Sequence, residues 1–303
     1  MLPESRRRSF LDPAVVARLA ALPLLPRRPM VGTVSGRHAS PHRGASVEFA
    51  EYRKYVAGDD LRRLDWRAHG RTDRYYVKEF EADTNLRLCV VLDTSGSMDF
   101  SAAGTSKIQY ARQLAAALGY LAVLQGDAVG LSCVGEGISN HIPPRRNPGH
   151  LMHLFDALEA AKPSGPTRLP EALHELAERV RQRALVVIIS DLFLPPESLR
   201  DCFAHMRFCK HDVAVFHLLD RQEIDFQFQR PVRFLDMEGG TPVFAEPNEI
   251  AERYQKAMAE YLQQLTAVVH EAGVDYHRVV TDEQDERVLT RFLVGRTRTR
   301  GVR

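Results

Sequence analysis

A chain of 303 residues, 44% hydrophobic and 26% charged, can bury a full core and has the composition of an ordinary soluble globular protein. Its formal net charge of +2 excludes a strong overall pull towards nucleic acid or acidic membranes. The charge is uneven, however: residues 1–82 hold 16 Lys+Arg against 10 Asp+Glu, and the remainder holds 25 against 29.

Residues 1–35, rich in Arg and Pro, read as an N-terminal arm with one short helical pattern near Leu11–Leu22. Residues 36–83 are dense in charge and aromatics, contain the sole tryptophan, Trp66, and turn extended near Val77 and Phe80. From residue 84 to 295 the pattern is regular. Apolar runs of strand length occupy Leu86–Leu92, Ala128–Val134, Ala184–Ser190, Val213–Leu219 and Tyr276–Val280. Helix-period segments lie between them at Ser106–Gln125, His150–Ala160, Pro170–Gln182, Pro196–Phe208 and Pro247–Ala272. Strands apolar at consecutive positions suit a sheet covered on both faces. Strand–helix alternation predicts an α/β fold: a doubly wound, mostly parallel sheet flanked by helices, with an irregular N-terminal segment. In the last of these helices Ile250, Tyr254, Met258, Tyr261, Leu262 and Leu265 form one face, expected to pack on the sheet. Residues 296–303, RTRTRGVR, read as a frayed basic tail.

The longest apolar stretch, Leu114–Leu124, is shorter than the roughly 18–20 residues of a spanning helix, so no membrane span is expected. MLPESRRRSF has no secretory apolar region, and four scattered cysteines make neither a disulfide framework nor a zinc site. The expected location is therefore cytoplasmic, with Cys89 and Cys133 as small core residues.

In a doubly wound sheet, ligands bind beyond the carboxyl ends of the strands, where strand order reverses. The first predicted strand runs into LCVVLDTSGSMDF, placing Asp93, Ser95 and Ser97 there; ALVVIISDLF places Asp191 at a second strand end. Between them KPSGPTRLPEAL sets Thr167 on a loop before an amphipathic helix. Two carboxylates and three hydroxyls are hard oxygen donors, suited to Mg²⁺ or Mn²⁺. Gly96 lets the turn aim both serine oxygens at one point.

DTSGSM, with GPTRLPEAL and SDLF, resembles the metal-ion-dependent adhesion site of von Willebrand factor type A domains. That resemblance implies direct coordination by Ser95 and Ser97, Thr167 acting directly or through water, and Asp93 and Asp191 acting mostly through water. It also implies an open position that takes a carboxylate from a protein partner. A wider resemblance, to the bacterial domain-of-unknown-function family 58, rests on Phe49, Tyr52, Arg53, Tyr55, Gly58, Asp59, Asp60, Arg62, Arg63, Asp65, Trp66, Arg71 and Thr72, joined to VVLDTSGSM. It covers residues 36–192 well and the rest loosely. The family's association with MoxR-type AAA+ ATPases implies such an ATPase as partner. The expectation is a non-enzymatic, divalent-cation-dependent protein-binding module.

Two other classes compete: a metal-assisted phosphate hydrolase using Asp93, and a structural adaptor with a vestigial metal site. Haloacid-dehalogenase phosphotransferases need a second acid where this chain has Ser95, leaving no general acid for the leaving group. An Asp-Thr-Gly protease turn would need glycine at Ser95, and no G-x-S-x-G elbow is present. The Arg- and aromatic-rich GDDLRRLDWRAHGRTDR could suggest nucleic acid, but Asp59, Asp60, Asp65 and Asp73 interrupt it and repel phosphate, so none is expected to bind.

Overall fold

The computed structural model describes residues 10–27, 49–54, 70, 75–80, 86–102, 104–228, 232–239 and 243–298. The chain divides into two compact units, one of Met1–Leu25 with Arg87–Arg303 and one of Pro26–Leu86. In the second, β1 (Phe49–Lys54) pairs antiparallel with β2 (Tyr76–Phe80), with a register shift between Phe49 and Glu51. The motif positions from Tyr55 to Thr72, Trp66 included, lie outside the described residues.

The first unit is built on a six-stranded sheet of β3 (Arg87–Asp93), β4 (Ala128–Val134), β5 (Ile138–Arg145), β6 (Leu185–Ser190), β7 (Asp212–Leu219) and β10 (Asp275–Val280). Its order is β10-β7-β6-β3-β4-β5, parallel throughout except for β5, which runs antiparallel at one edge. From β3 the chain proceeds to β4 and β5 on one side, then returns to β6 on the other. The switch point therefore lies between β3 and β6, whose carboxyl ends carry Asp93 and Ser190-Asp191.

The five predicted strands and five predicted helices are present within a few residues. The strands β3, β4, β6 and β7 are buried along nearly their whole length, because helices cover both faces. On one face lie α1 (Pro13–Leu19), α2 (Lys107–Leu124) and α8 (Asp285–Arg298), which pack on one another. The helix α3 (Pro148–Ala160) packs on α2. On the other face α4 (Leu169–Arg179), α5 (Pro196–Phe208) and the end of α7 (Pro247–Glu271) close a core that includes Leu173, Phe203, Leu265 and Val269. The helix α2 starts with a full capping box, Ser106 accepting from Gln109 N while the Gln109 side chain accepts from Ser106 N.

Two boundaries differ from the sequence expectation. The helix in the supposed arm belongs to the α/β unit: Val15, Val16 and Leu19 are buried, and Arg18 makes a two-pronged bond to Glu286 at 2.6 Å. The supposed frayed tail begins inside α8. Arg296 is fully buried, donating to Leu25 O at 2.7 Å, Asp275 Oδ2 at 2.9 Å and Asp212 Oδ2. It ties the end of α8 to the starts of β7 and β10. The edge strand β5 escaped prediction because Pro143 and Pro144 interrupt its pattern, which an edge strand tolerates.

Among the described residues no helix is long and apolar enough to cross a membrane. All four cysteines are free thiols, and burial pushes Cys89 and Cys202 up to about 12 and Cys133 up to about 11.

Candidate metal centre

Three loops meet above the switch point, joined by backbone hydrogen bonds. Gly96 N donates to Gly165 O at 2.8 Å, Ser164 N to Thr94 O at 3.0 Å, and Arg168 N to Gly135 O at 2.8 Å. Gly165, at φ +66°, adopts the left-handed conformation that glycine reaches without strain. This lacing brings the Thr167 loop against the Ser95–Ser97 turn, which continues as a short 3₁₀ helix, Gly96–Asp99.

Within the turn, Ser95 N donates to Asp93 Oδ1 at 2.9 Å, and the Ser95 and Ser97 hydroxyls lie 3.1 Å apart. The Ser190 hydroxyl donates to Asp93 Oδ2 at 2.5 Å and accepts from Leu192 N at 2.9 Å. Leu192 follows Asp191 in a left-handed conformation, φ 51°, which costs a leucine about 1–2 kcal/mol. Its carbonyl is held by the Tyr261 hydroxyl. Asp191 is thus set on a strained, anchored turn.

Asp191 is also half of an ion cluster. The Lys107 ammonium donates to Asp191 Oδ2 at 2.6 Å and to Glu223 Oε1 at 2.7 Å, with Lys107 fully buried. Glu223 sits on the short helix α6 (Arg221–Asp225), and the phenyl rings of Phe193 and Phe100 lie 5.0 and 5.7 Å from the ammonium. Burial pulls the Lys107 pKa down, but Asp191 and Glu223 together outweigh it and hold the side chain charged. Burial pushes Glu223 up, with Lys107 opposing. Asp93 is pushed up to about 6, first by burial and then by the charge of Asp191, against the hydrogen bonds from Ser190 and Ser95. His217, fully buried and bonded through Nδ1 to the Tyr276 hydroxyl at 2.6 Å, is pushed down to about 4 by burial. It carries no charge at neutral pH.

The sequence-predicted residues fare as follows. Asp93, Ser95 and Ser97 are directly joined, and Asp191 lies close enough to Asp93 to shift its titration. Thr167 lies on the adjoining loop, half-buried, its hydroxyl accepting from Leu169 N at 3.3 Å. Sequence reasoning missed Ser190, Lys107 and Glu223. Ser190 was legible as a hydroxyl at a strand end, whereas a lysine opening an apolar helix carries no such signal.

The donors fit a small divalent cation. An octahedron of 2.0–2.1 Å bonds has edges of about 3.0 Å, and the two serine oxygens stand 3.1 Å apart. Asp93, Asp191 and Glu223, when ionised, outnumber the Lys107 ammonium by two charges, the charge of one Mg²⁺ or Mn²⁺. No group of three His, Cys, Asp or Glu suited to a metal occurs among the described residues, so any ion here relies on hydroxyls. The turn is also covered: a β-carbon on Gly96 would lie 2.1 Å from Met237 O, so the Asp236–Gly239 segment passes directly over it. Ser95 is fully buried and Ser97 half-buried.

The chain is similar to several known proteins. The uncharacterized protein Rv1480 of Mycobacterium tuberculosis is 27% identical over 301 residues, covering 98% of this chain and 94% of its own. Among solved structures, BatB from Bacteroides thetaiotaomicron superposes with a TM-score of 0.49 at 15% identity, covering 71% of this chain and 100% of that one. The SpRpn10 VWA domain gives 0.42 at 10% identity, covering 69% and 95%. Residues 51–264 match the family described as "Protein of unknown function DUF58", and the chain belongs to that family.

Proposed function

We propose that the protein is a non-enzymatic protein-binding module whose contact depends on a divalent cation, Mg²⁺ or Mn²⁺. Ser95 and Ser97 hold the ion, with Thr167, Asp93 and Asp191 completing its surroundings as the adhesion-site resemblance implies. A bound cation supplies an electrophilic centre for a partner's aspartate or glutamate. Lys107 holds Asp191 by one oxygen and so limits the negative charge offered to the ion, which keeps the ion receptive to that incoming acid. The observation that carries this reading is a pair of hydroxyls spaced as an octahedral edge, joined to Asp93 and close to an Asp191–Lys107–Glu223 cluster that, with all three carboxylates ionised, has two negative charges in excess. The partner we propose, on the family resemblance alone, is a MoxR-type AAA+ ATPase, in a reducing cytoplasm compatible with four free thiols.

Asp93 is poorly placed to attack phosphate, since one carboxylate oxygen takes a short bond from Ser190 and the other a bond from Ser95 N. A phosphoester screen of the protein with Mg²⁺ is expected to show no activity that Asp93→Asn abolishes.

The direct test is isothermal titration with Mg²⁺ and Mn²⁺, then pull-down of the co-expressed ATPase by wild type, Asp93→Asn and Ser95→Ala, with and without chelator. Saturable binding of one ion and chelator-sensitive recovery support the proposal. Equal recovery from all proteins in both conditions removes it.

A further inference from the structure

On the face of the sheet away from α2, two imidazoles meet between α4 and α5. His174 lies in the middle of α4 and His205 in the last turn of α5, and their Nδ1 atoms stand 2.9 Å apart. At that distance one ring donates its Nδ1–H and the other accepts. Both side chains are half-buried, so the pair is open to solvent on one side. Leu173 beside His174 and Met206 beside His205 are fully buried, which fixes the two backbones in the core. Neither ring hydrogen-bonds any other described residue.

The spacing of the rings suits a shared ion. Their centroids lie 5.1 Å apart, with the planes tilted by 33°. The Cβ–Cγ bond points through the ring centre, so turning a ring about that bond moves Nδ1 and leaves the centroid in place. The centroid separation is therefore dictated by the helices. A tetrahedral zinc with Zn–N bonds of about 2.0–2.1 Å holds two imidazole centroids about 5.2 Å apart, whereas an ion binding them at a right angle holds them about 4.5 Å apart. The helices supply the tetrahedral spacing. The Nδ1 atoms need only part from 2.9 Å to about 3.3 Å, which ring rotation achieves without moving either helix. Imidazole nitrogens favour zinc over magnesium, the reverse of the hydroxyl and carboxylate donors of the metal centre.

We propose that His174 and His205 bind a zinc ion through their Nδ1 atoms and so clasp α4 to α5. The ring that donates in the free pair passes its Nδ1 proton through solvent to its own Nε2, leaving both rings as Nε2–H tautomers. No third His, Cys, Asp or Glu joins the pair among the described residues, so water completes the tetrahedron. Helix α4 starts just beyond Thr167, and α5 just beyond the Asp191 turn. The clasp therefore ties together the two helices that follow loops of the metal centre.

Isothermal titration of the full chain with Zn²⁺ tests it, in excess Mg²⁺ to keep the oxygen-lined centre out of the reading. One saturable site is expected, weakened about ten-fold or more in His174→Ala and likewise in His205→Ala. Zinc should raise the thermal midpoint of the wild type and of neither variant. Both replaced side chains are half-buried on helix surfaces, and cooperative unfolding without zinc checks that the variants fold. Long-range proton–nitrogen NMR gives a second readout: zinc should shift both Nδ1 resonances and leave both rings as Nε2–H tautomers, whereas a plain hydrogen-bonded pair keeps one ring of each kind. Absence of saturable zinc binding, equal affinity in the wild type and both variants, or a response from only one ring overturns the proposal. Zinc binding is expected to survive in Ser95→Ala, which disables the hydroxyl pair. Its loss there overturns the proposal by assigning the zinc to the oxygen-lined centre, so the two readings fail separately.

Discussion

Replacing Lys107 by methionine keeps the apolar stem and deletes only the ammonium, leaving Asp191 and Glu223 buried without it. At 2.6 and 2.7 Å, each contact is worth about 6 kcal/mol at an effective dielectric near 20. Desolvation of the three groups offsets most of that gain, and breaking a buried pair by removing one partner costs about 3–5 kcal/mol. In urea with chelator, where m is about 2–3 kcal/mol/M for a domain of this size, the Lys107→Met midpoint is expected to fall by roughly 1–2 M. Mg²⁺ should restore much of the loss, since a divalent ion supplies the missing charge. Its affinity for the variant is expected to exceed the wild-type value about ten-fold or more, as about 1.4 kcal/mol of removed repulsion requires. A variant as stable as wild type in chelator, or one that binds Mg²⁺ no more tightly, would refute the argument that Lys107 and the cation share one pool of buried charge.

Three further outcomes follow from the same geometry. Folded Asp93 holds its proton up to about pH 6, so without metal its ionisation costs stability, on the order of 3 kcal/mol, as pH rises from near 4 through 6. His217 works in the opposite sense, its contribution being lost as pH falls from 6.5 towards 4. Denaturation in chelator should therefore show stability rising with pH in Asp93→Asn and falling with pH in His217→Phe over that window; parallel profiles would contradict both assignments. Gly96→Ala drives a β-carbon into Met237 O and is expected to cost about 1–3 kcal/mol and to speed proteolytic nicking at residues 235–239, with a native far-ultraviolet spectrum. Arg296→Met removes the guanidinium that joins Asp212, Asp275 and Leu25 O, and its unfolding free energy should fall by about 3–5 kcal/mol; a loss under 1 kcal/mol would show the triad to be dispensable.

The main sheet and its covering helices were legible because unbroken apolar runs and period-3.6 patterns are local: Leu185–Ser190 and Leu114–Leu118–Leu121 announce themselves within a few residues. Strand ends were equally visible, so Asp93, Ser95, Ser97 and Asp191 could be named from the chain alone. Elements with interrupted or polar patterns were not. Two prolines hid β5, and the basic composition of α8 made a helix resemble a tail, although Arg296 lies inside it.

The linear chain thus determined the kind of fold, the hard oxygen donors at its strand ends and the family to which it belongs. Only the tertiary structure decided that β3 lies beside β6, which sets Ser190 against Asp93 from 97 residues away. Only it placed the Lys107 charge between Asp191 and Glu223, 84 and 116 residues distant, and gathered Phe100, Phe226, Phe234 and Tyr254 into one aromatic cleft. The physical reason is range: hydrophobic periodicity is set by neighbours along the backbone, whereas a buried charge is balanced by whichever group the folded topology brings within a few ångströms.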